Sequence, residues 1–126
     1  MRRFIWCFGC AFRGVWTTLR SERNFRLHVI AAVVVVALGF YLELSLTAWG
    51  LVIFAIGFVL AAELLNTAVE RLSDEVSGGR HRSAVKNVKD ISAGAVLVSA
   101  LTALVIGILF LLVPLVQRIS ELVQGR

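Results

Sequence analysis

The chain has 126 residues, of which 59% are hydrophobic and 17% are charged, and its formal net charge is +5. A soluble domain is about 45–50% apolar, so this composition favours one membrane domain over residues 1–126 and argues against a soluble enzyme. The basic residues flank apolar runs, which indicates contact with anionic lipid headgroups and argues against nucleic-acid binding.

The first predicted element is an amphipathic helix over about residues 4–20. Its apolar side holds Phe4, Phe8, Phe12, Val15, Trp16 and Leu19. Arginines on the other side are typical of a helix that lies along a membrane surface, and a soluble partner-binding helix is the alternative. Cys7 and Cys10 have CxxC spacing without a second ligand pair, so we expect small apolar residues here and not a redox or metal site. Arg13 and Arg20 interrupt the segment and no small-residue cleavage site is present, so no secretory signal peptide is expected.

Three apolar segments come next, over residues 27–47, 46–72 and 91–116. A helix needs about 20 apolar residues to cross a bilayer, so each segment is a candidate span. A kink is tolerable near Pro114, at the end of the third segment. Small residues recur at every fourth position of this segment, as close helix packing in membranes requires: Ala95, Ser99, Ala103 and Gly107. The predicted fold class is therefore an all-α membrane protein, with an N-terminal interfacial helix followed by three transmembrane helices.

Lysine and arginine residues predict the orientation of these spans. Six arginines precede residue 27, and the connection between the first two spans has no basic residue. The second connection holds Arg71, Arg80, Arg82, Lys86 and Lys89. Only Arg118 and Arg126 come after the third span. Because basic residues favour the cytoplasmic side, the N-terminus and the second connection should be cytoplasmic.

A polar stripe extends the second span toward that same side. At helical spacing it holds Glu63, Asn66, Thr67, Glu70 and Asp74 over about 16 Å. Neighbouring carboxylates repel each other, and a Mg²⁺ ion that also binds phosphate oxygens would relieve the outer ones. The deepest acid, Glu63, is suited to act as a general base. A buried polar seam that joins helices is the structural alternative.

Lys86, Lys89 and Asp90 begin the third helical segment on the same side of the membrane. Lysines beside a carboxylate-bound metal can neutralise the charge of a polyphosphate. The sequence contains no P-loop and no soluble-kinase signature. If the chain is a kinase, it is therefore of a different kind.

Three motifs resemble one known family. They are ELLNTAVE (63–70) with Asp74 four residues later, the KD pair (89–90), and SERNFRLH (21–28). Together they resemble the prokaryotic diacylglycerol kinase and undecaprenol kinase family, from about Arg3 to Val116. The resemblance implies phosphorylation of a lipid alcohol with ATP and Mg²⁺, at the cytoplasmic face of a bacterial inner membrane. It also implies a homotrimer with shared sites, and SERNFRLH is more similar to the undecaprenol branch.

The resemblance also implies roles for individual residues. Glu63 matches the general base, Asn66 lies beside the reacting groups, and Glu70 and Glu22 match metal ligands, with Glu22 serving another subunit. The implied nucleotide-binding residues are Arg3, Cys10, Glu22, Glu70, Asp74, His81, Lys89 and Asp90. Cys10 departs from the family pattern, because many members have tyrosine there. The connection over residues 75–88 is one residue longer than the pattern and has Gly79 where an acidic residue is common. His81 keeps its spacing from Asp74, and a solvated histidine of the connection is the alternative to a nucleotide contact.

Two other classes of protein are alternatives: a small oligomeric proton-coupled transporter and a structural membrane subunit. An intramembrane glutamate is also expected in a transporter, but transport sites tend to lie near the midplane on broken helices. Here the acids run toward one face, which favours a reaction on one side of the membrane.

Overall fold

A computed structural model describes residues 2–78 and 83–125, with side chains described from residue 6 onward. All regular structure in this part of the chain is helical, which confirms the predicted fold class. The elements are α1 (Arg2–Ser21), α2 (Arg23–Tyr41), α3 (Leu46–Ser77), α4 (Ser83–Gly107), a π-helical segment (Ile108–Leu112) and α5 (Val113–Val123). Three continuous helical stretches are long and apolar enough to cross a membrane: Arg23–Tyr41, Leu46–Ser77 and Ser83–Val123.

The ends of the helices differ from the expected spans for local reasons. α2 ends at Tyr41 and not near residue 47, because Ser45 caps the next helix: its hydroxyl accepts the Ala48 N–H at 3.3 Å. α3 continues to Ser77, five residues beyond the expected end. It stops at Gly78, whose φ of +56° is the left-handed conformation that glycine adopts readily.

α1 precedes the three long helices and is separated from α2 by Glu22 in an extended conformation. Its apolar side chains are largely exposed, including Trp6 (67%) and Phe12 (74%). The Arg20 guanidinium lies 4.6 Å from the centroid of the Trp16 ring. An exposed aromatic surface with a basic group beside it is typical of a helix at a membrane surface.

α3 is the central helix and packs most extensively against α4, and next against α2. Small residues allow these close approaches. Ser99 of α4 is fully buried, and its hydroxyl donates to the Val96 carbonyl at 2.8 Å. At Gly39 of α2, an added Cβ atom would lie 2.8 Å from the Trp49 ring of α3. This contact fixes the two helices close together near their connection.

The last long helix passes through the π-helical segment Ile108–Leu112 before Pro114. Proline lacks an N–H group and its ring crowds the carbonyl four residues earlier, so a wider turn before it relieves both problems. The helix therefore continues to Val123. In α5, Arg118 Nη1 donates to the Tyr41 carbonyl at 2.9 Å, which joins α5 to the end of α2.

Candidate active site

Glu63 lies on the buried face of α3. The same face is apolar over its first half, where Val52 and Val59 are 2% and 6% exposed. Glu63 comes next at 4% and Thr67 at 5% exposure. An ionisable side chain buried in a membrane-spanning helix is costly and is therefore a candidate for function.

His28 of α2 is the partner of Glu63. Its Nε2 atom lies 3.1 Å from Glu63 Oε1, and its side chain is 30% exposed. Sequence reasoning placed His28 within SERNFRLH but not among the site residues. Its position as the last polar residue before the apolar part of α2 was the available signal. The contact between His28 and Glu63 depends on the relative rotation of α2 and α3. That rotation cannot be predicted from the periodicity of either helix alone.

Asn66 connects the stripe on α3 to α4. Its Nδ2 atom donates to Glu70 Oε1 at 3.0 Å, and its Oδ1 atom accepts from the Ser92 hydroxyl at 2.6 Å. These two bonds fix the orientation of the amide and hold the Glu70 carboxylate. Ser92 is a second residue that sequence reasoning missed, although it lies only two positions after the KD pair.

Asp74 and Lys89 meet across the same two helices, with 2.5 Å between Oδ1 and Nζ. The structure therefore brings together two of the predicted nucleotide-binding residues. Asp90 is near them in sequence but pairs with Lys86 of its own helix at 2.7 Å. Lys86 and Asp90 are exposed, and Asp74 is 65% exposed, whereas Lys89 is 32% exposed. Solvent or an anionic ligand can therefore reach Lys86 freely and Lys89 in part.

Glu22 lies in the break between α1 and α2, and Arg71 of α3 binds it. Arg71 Nη2 donates to Glu22 Oε1 at 3.1 Å and to the Ser21 hydroxyl at 2.5 Å. Arg71 comes directly after Glu70, but successive helical residues point about 100° apart, so this contact alone does not bring the Glu22 and Glu70 carboxylates together within one chain. Within residues 2–78 and 83–125, no three His, Cys, Asp or Glu side chains group together as a ready metal site. Two carboxylates would be enough for Mg²⁺, because this ion often has one or two carboxylate ligands from the protein and takes its other ligands from phosphate oxygens and water.

The remaining predicted nucleotide-binding residues are not brought to this cluster by described contacts. Cys10 is exposed on α1. Arg3 lies in α1, but its side chain is outside the described set. His81 lies outside the described residues.

The polarity of the cluster increases along α3 from Glu63 toward Ser77. The paired acid Glu63 lies next to apolar residues, and the amide, carboxylates and lysines lie beyond it toward Ser77. Such an arrangement suits one apolar and one polyanionic reactant that meet between the two regions.

Comparison with known proteins gives a consistent result over most of the chain. The family described as prokaryotic diacylglycerol kinase matches residues 9–111. The chain is 42% identical over 112 residues to undecaprenol kinase from Bacillus subtilis (strain 168), covering 89% of this chain and 90% of that protein. It is 34% identical over 106 residues to diacylglycerol kinase from Pseudomonas aeruginosa, covering 84% of this chain and 85% of that protein. It is 36% identical over 110 residues to diacylglycerol kinase from Synechocystis, covering 87% of this chain but 63% of that longer protein.

Proposed function

This chain belongs to the prokaryotic diacylglycerol kinase family, and from this premise we propose that it transfers the γ-phosphoryl group of ATP to the hydroxyl of a membrane lipid alcohol. It is a lipid kinase of a bacterial membrane, and its named relatives act on undecaprenol or diacylglycerol. Reaction at the cytoplasmic face is supported by the arginines before residue 27 and the basic second connection.

The observation that carries the proposal is the buried Glu63 and its contact with His28, at the edge of the polar cluster. Glu63 acts as the general base: one carboxylate oxygen takes the proton of the lipid hydroxyl, whose oxygen then attacks the γ-phosphorus as ADP leaves. His28 contacts Oε1, which leaves Oε2 for the lipid hydroxyl. His28 is thus a positioning residue that holds the carboxylate in one orientation.

The groups beyond Glu63 bind the nucleotide and its metal in this proposal. Mg²⁺, held by Glu70 and Glu22, would neutralise charge on the β- and γ-phosphate oxygens. Asn66 supports that role because its amide fixes the Glu70 carboxylate. Lys89 leaves Asp74 to bind phosphate oxygens, since both side chains of this pair are accessible.

The other nucleotide contacts stay proposals from the family resemblance. Asp90 would release Lys86 on binding, and Arg3 and Cys10 would approach the nucleotide from α1. His81 would approach it from the connection between α3 and α4.

We also propose a homotrimer in which neighbouring subunits share sites. Within one chain Glu22 is engaged by Arg71, and Glu70 by Asn66. A site shared between subunits would bring Glu22 of one copy to Glu70 and Glu63 of another. Mixing Glu22→Gln subunits with Glu63→Gln subunits tests this arrangement, because hybrid trimers would then contain intact sites. Recovery of activity on mixing is expected, and its absence in verified hybrid trimers would contradict shared sites.

The activity itself is tested by phosphate transfer from labelled ATP with Mg²⁺, using purified protein in mixed micelles. Glu63→Gln should lower kcat by about 10²- to 10⁴-fold, the usual contribution of a general base. Glu121→Gln is the matched control, because Glu121 is an exposed residue of α5. Undiminished transfer by Glu63→Gln would reject Glu63 as the base. Loss of assembly in that variant alone would support the alternative of a structural polar seam.

A further inference from the structure

A pocket of about 110 Å³ lies between α2, α3 and the junction of α4 with the π-helical segment. Thirteen residues line it, and His28 is the one among them with a polar side chain. Its walls contain several small residues, including Ala32, Ala55, Ala103 and Gly107. The small-residue stripe of α4 thus leaves space against α2 and α3 at this level.

One end of the pocket reaches the proposed base. His28 both lines the pocket and contacts Glu63, and Val59 lies one helical turn before Glu63 on α3. From His28 the pocket extends along α2 to Val35, seven residues or about 10 Å away. On α3 its lining residues precede Glu63, whereas the polar stripe continues beyond Glu63. A lipid alcohol in the pocket would therefore place its hydroxyl at the His28 end, beside Glu63, and its remaining atoms in the apolar half of the helix bundle.

The two acceptor lipids differ in the groups attached to the hydroxyl-bearing carbon. In a polyprenol this carbon bears hydrocarbon alone, beginning with a methyl-branched five-carbon isoprene unit. In diacylglycerol an ester-bearing carbon is directly adjacent. An ester carbonyl needs a hydrogen-bond donor when it is buried, and the one donor side chain in the pocket, His28, is already engaged by Glu63.

The pocket's volume fits the isoprene unit. An apolar cavity of about 150 Å³ holds a six-carbon benzene ring, so a slightly smaller one suits a single five-carbon unit. On the basis of the proposed function, we propose that this pocket binds the hydroxyl-end isoprene unit of a polyprenol. It thereby selects polyprenols over diacylglycerol, and the rest of the chain extends into the bilayer.

The test fills the pocket and compares both lipids. Gly107 lines the pocket, and an added Cβ atom there meets nothing within 4 Å, so Gly107→Leu starts in open space and adds bulk beside the pocket. Gly57→Leu is the matched control, because Gly57 also has open space around its Cβ position but does not line the pocket. Wild-type protein should prefer undecaprenol to dioleoylglycerol in kcat/KM. Gly107→Leu should lower kcat/KM for undecaprenol at least about tenfold, the effect of mismatched bulk in a hydrophobic pocket, and leave the KM for ATP unchanged.

Each contrary result has a distinct meaning. Transfer to neither lipid by wild-type protein overturns the proposed function and this inference with it. Preference for dioleoylglycerol, or an unchanged undecaprenol kcat/KM in Gly107→Leu, overturns the pocket assignment alone. Loss of assembly in Gly107→Leu but not in Gly57→Leu would mean that Gly107 packs closely against another helix or another copy of the chain, which also overturns the pocket assignment.

A second measurement needs no variant. A prenol carrying a photoreactive diazirine on its hydroxyl-end isoprene unit is irradiated with the wild-type protein, and the labelled peptides are identified by mass spectrometry. Label on Ala103, Gly107 or Ala55 is expected. Label confined to lipid-facing residues outside the pocket would overturn the proposal.

Discussion

Replacing His28 with leucine should slow phosphoryl transfer while the protein still assembles. The substitution removes the Nε2 contact to a glutamate that is 4% exposed, at a distance of 3.1 Å. A hydrogen bond to a charged group contributes about 1.5–3 kcal/mol, more than one between neutral groups. If the bond orients Glu63 in the transition state, its loss lowers kcat by about 13- to 160-fold.

The assay measures kcat and KM separately for ATP and for the lipid, over a range of pH. The KM for ATP should not change, because His28 has no described contact with Asp74 or Lys89. His28→Gln keeps an N–H donor of similar reach and should recover most of the rate. Asn24→Leu is the control for adding a leucine to α2, since Asn24 is exposed on the same helix.

Two results would refute this reasoning. The first is a kcat for His28→Leu within about threefold of wild type, since the loss of a charged hydrogen bond costs more than that. The second is equal impairment of His28→Gln and His28→Leu, because a positioning role predicts rescue by a residue that can still donate.

Three further expectations concern other parts of the structure. Ser92→Ala removes the 2.6 Å hydrogen bond to Asn66. A neutral hydrogen bond contributes about 0.5–1.5 kcal/mol, so kcat/KM should fall by about two- to thirteenfold. An unchanged kcat/KM would contradict the role of this bond. Gly39→Ala places a Cβ atom 2.8 Å from the Trp49 ring and should destabilise the protein by about 1–3 kcal/mol, seen as a lower thermal unfolding midpoint in detergent. Gly50→Ala, with open space at its Cβ position, should not lower that midpoint, and equal midpoints for the two variants would argue against the close approach. Chelation by EDTA should abolish transfer without changing the unfolding midpoint, and added Mg²⁺ should restore it; transfer that persists in EDTA would exclude the metal.

Apolar periodicity predicted much of this fold, because a membrane allows very few kinds of spanning structure. A span must be a long apolar helix, so the three long helices are visible in composition alone. The order of polar residues on α3 is equally visible, since Glu63, Asn66, Glu70 and Asp74 share one face of any straight helix.

Contacts between helices were harder to predict. His28, Ser92 and Arg71 each bond to a residue on another element, and the relative rotation of two helices is a property of the pair. The π-helical segment before Pro114 was also missed, because one widened turn hardly changes the apolar pattern. Ser45, which ends the first connection, had a recognisable capping signal that the apolar run around it obscured.

From the length of α3 we expect the activity to depend on bilayer thickness. Its 32 residues span about 48 Å, whereas the hydrocarbon core is about 30 Å thick, so the helix must extend well beyond the membrane or tilt within it. Glu63 and Asp74 lie on the same continuous helix, so they move together when α3 shifts along the membrane normal. The match between the apolar half of α3 and the hydrocarbon core therefore sets how deep Glu63 lies in the membrane and how far Asp74 lies from its surface. Thicker membranes should draw Glu63, the proposed base, away from the surface at which we propose that the nucleotide binds. Thinner membranes should lift Glu63 out of the apolar layer. We therefore expect the acyl-chain length of the host membrane to change the rate of phosphoryl transfer.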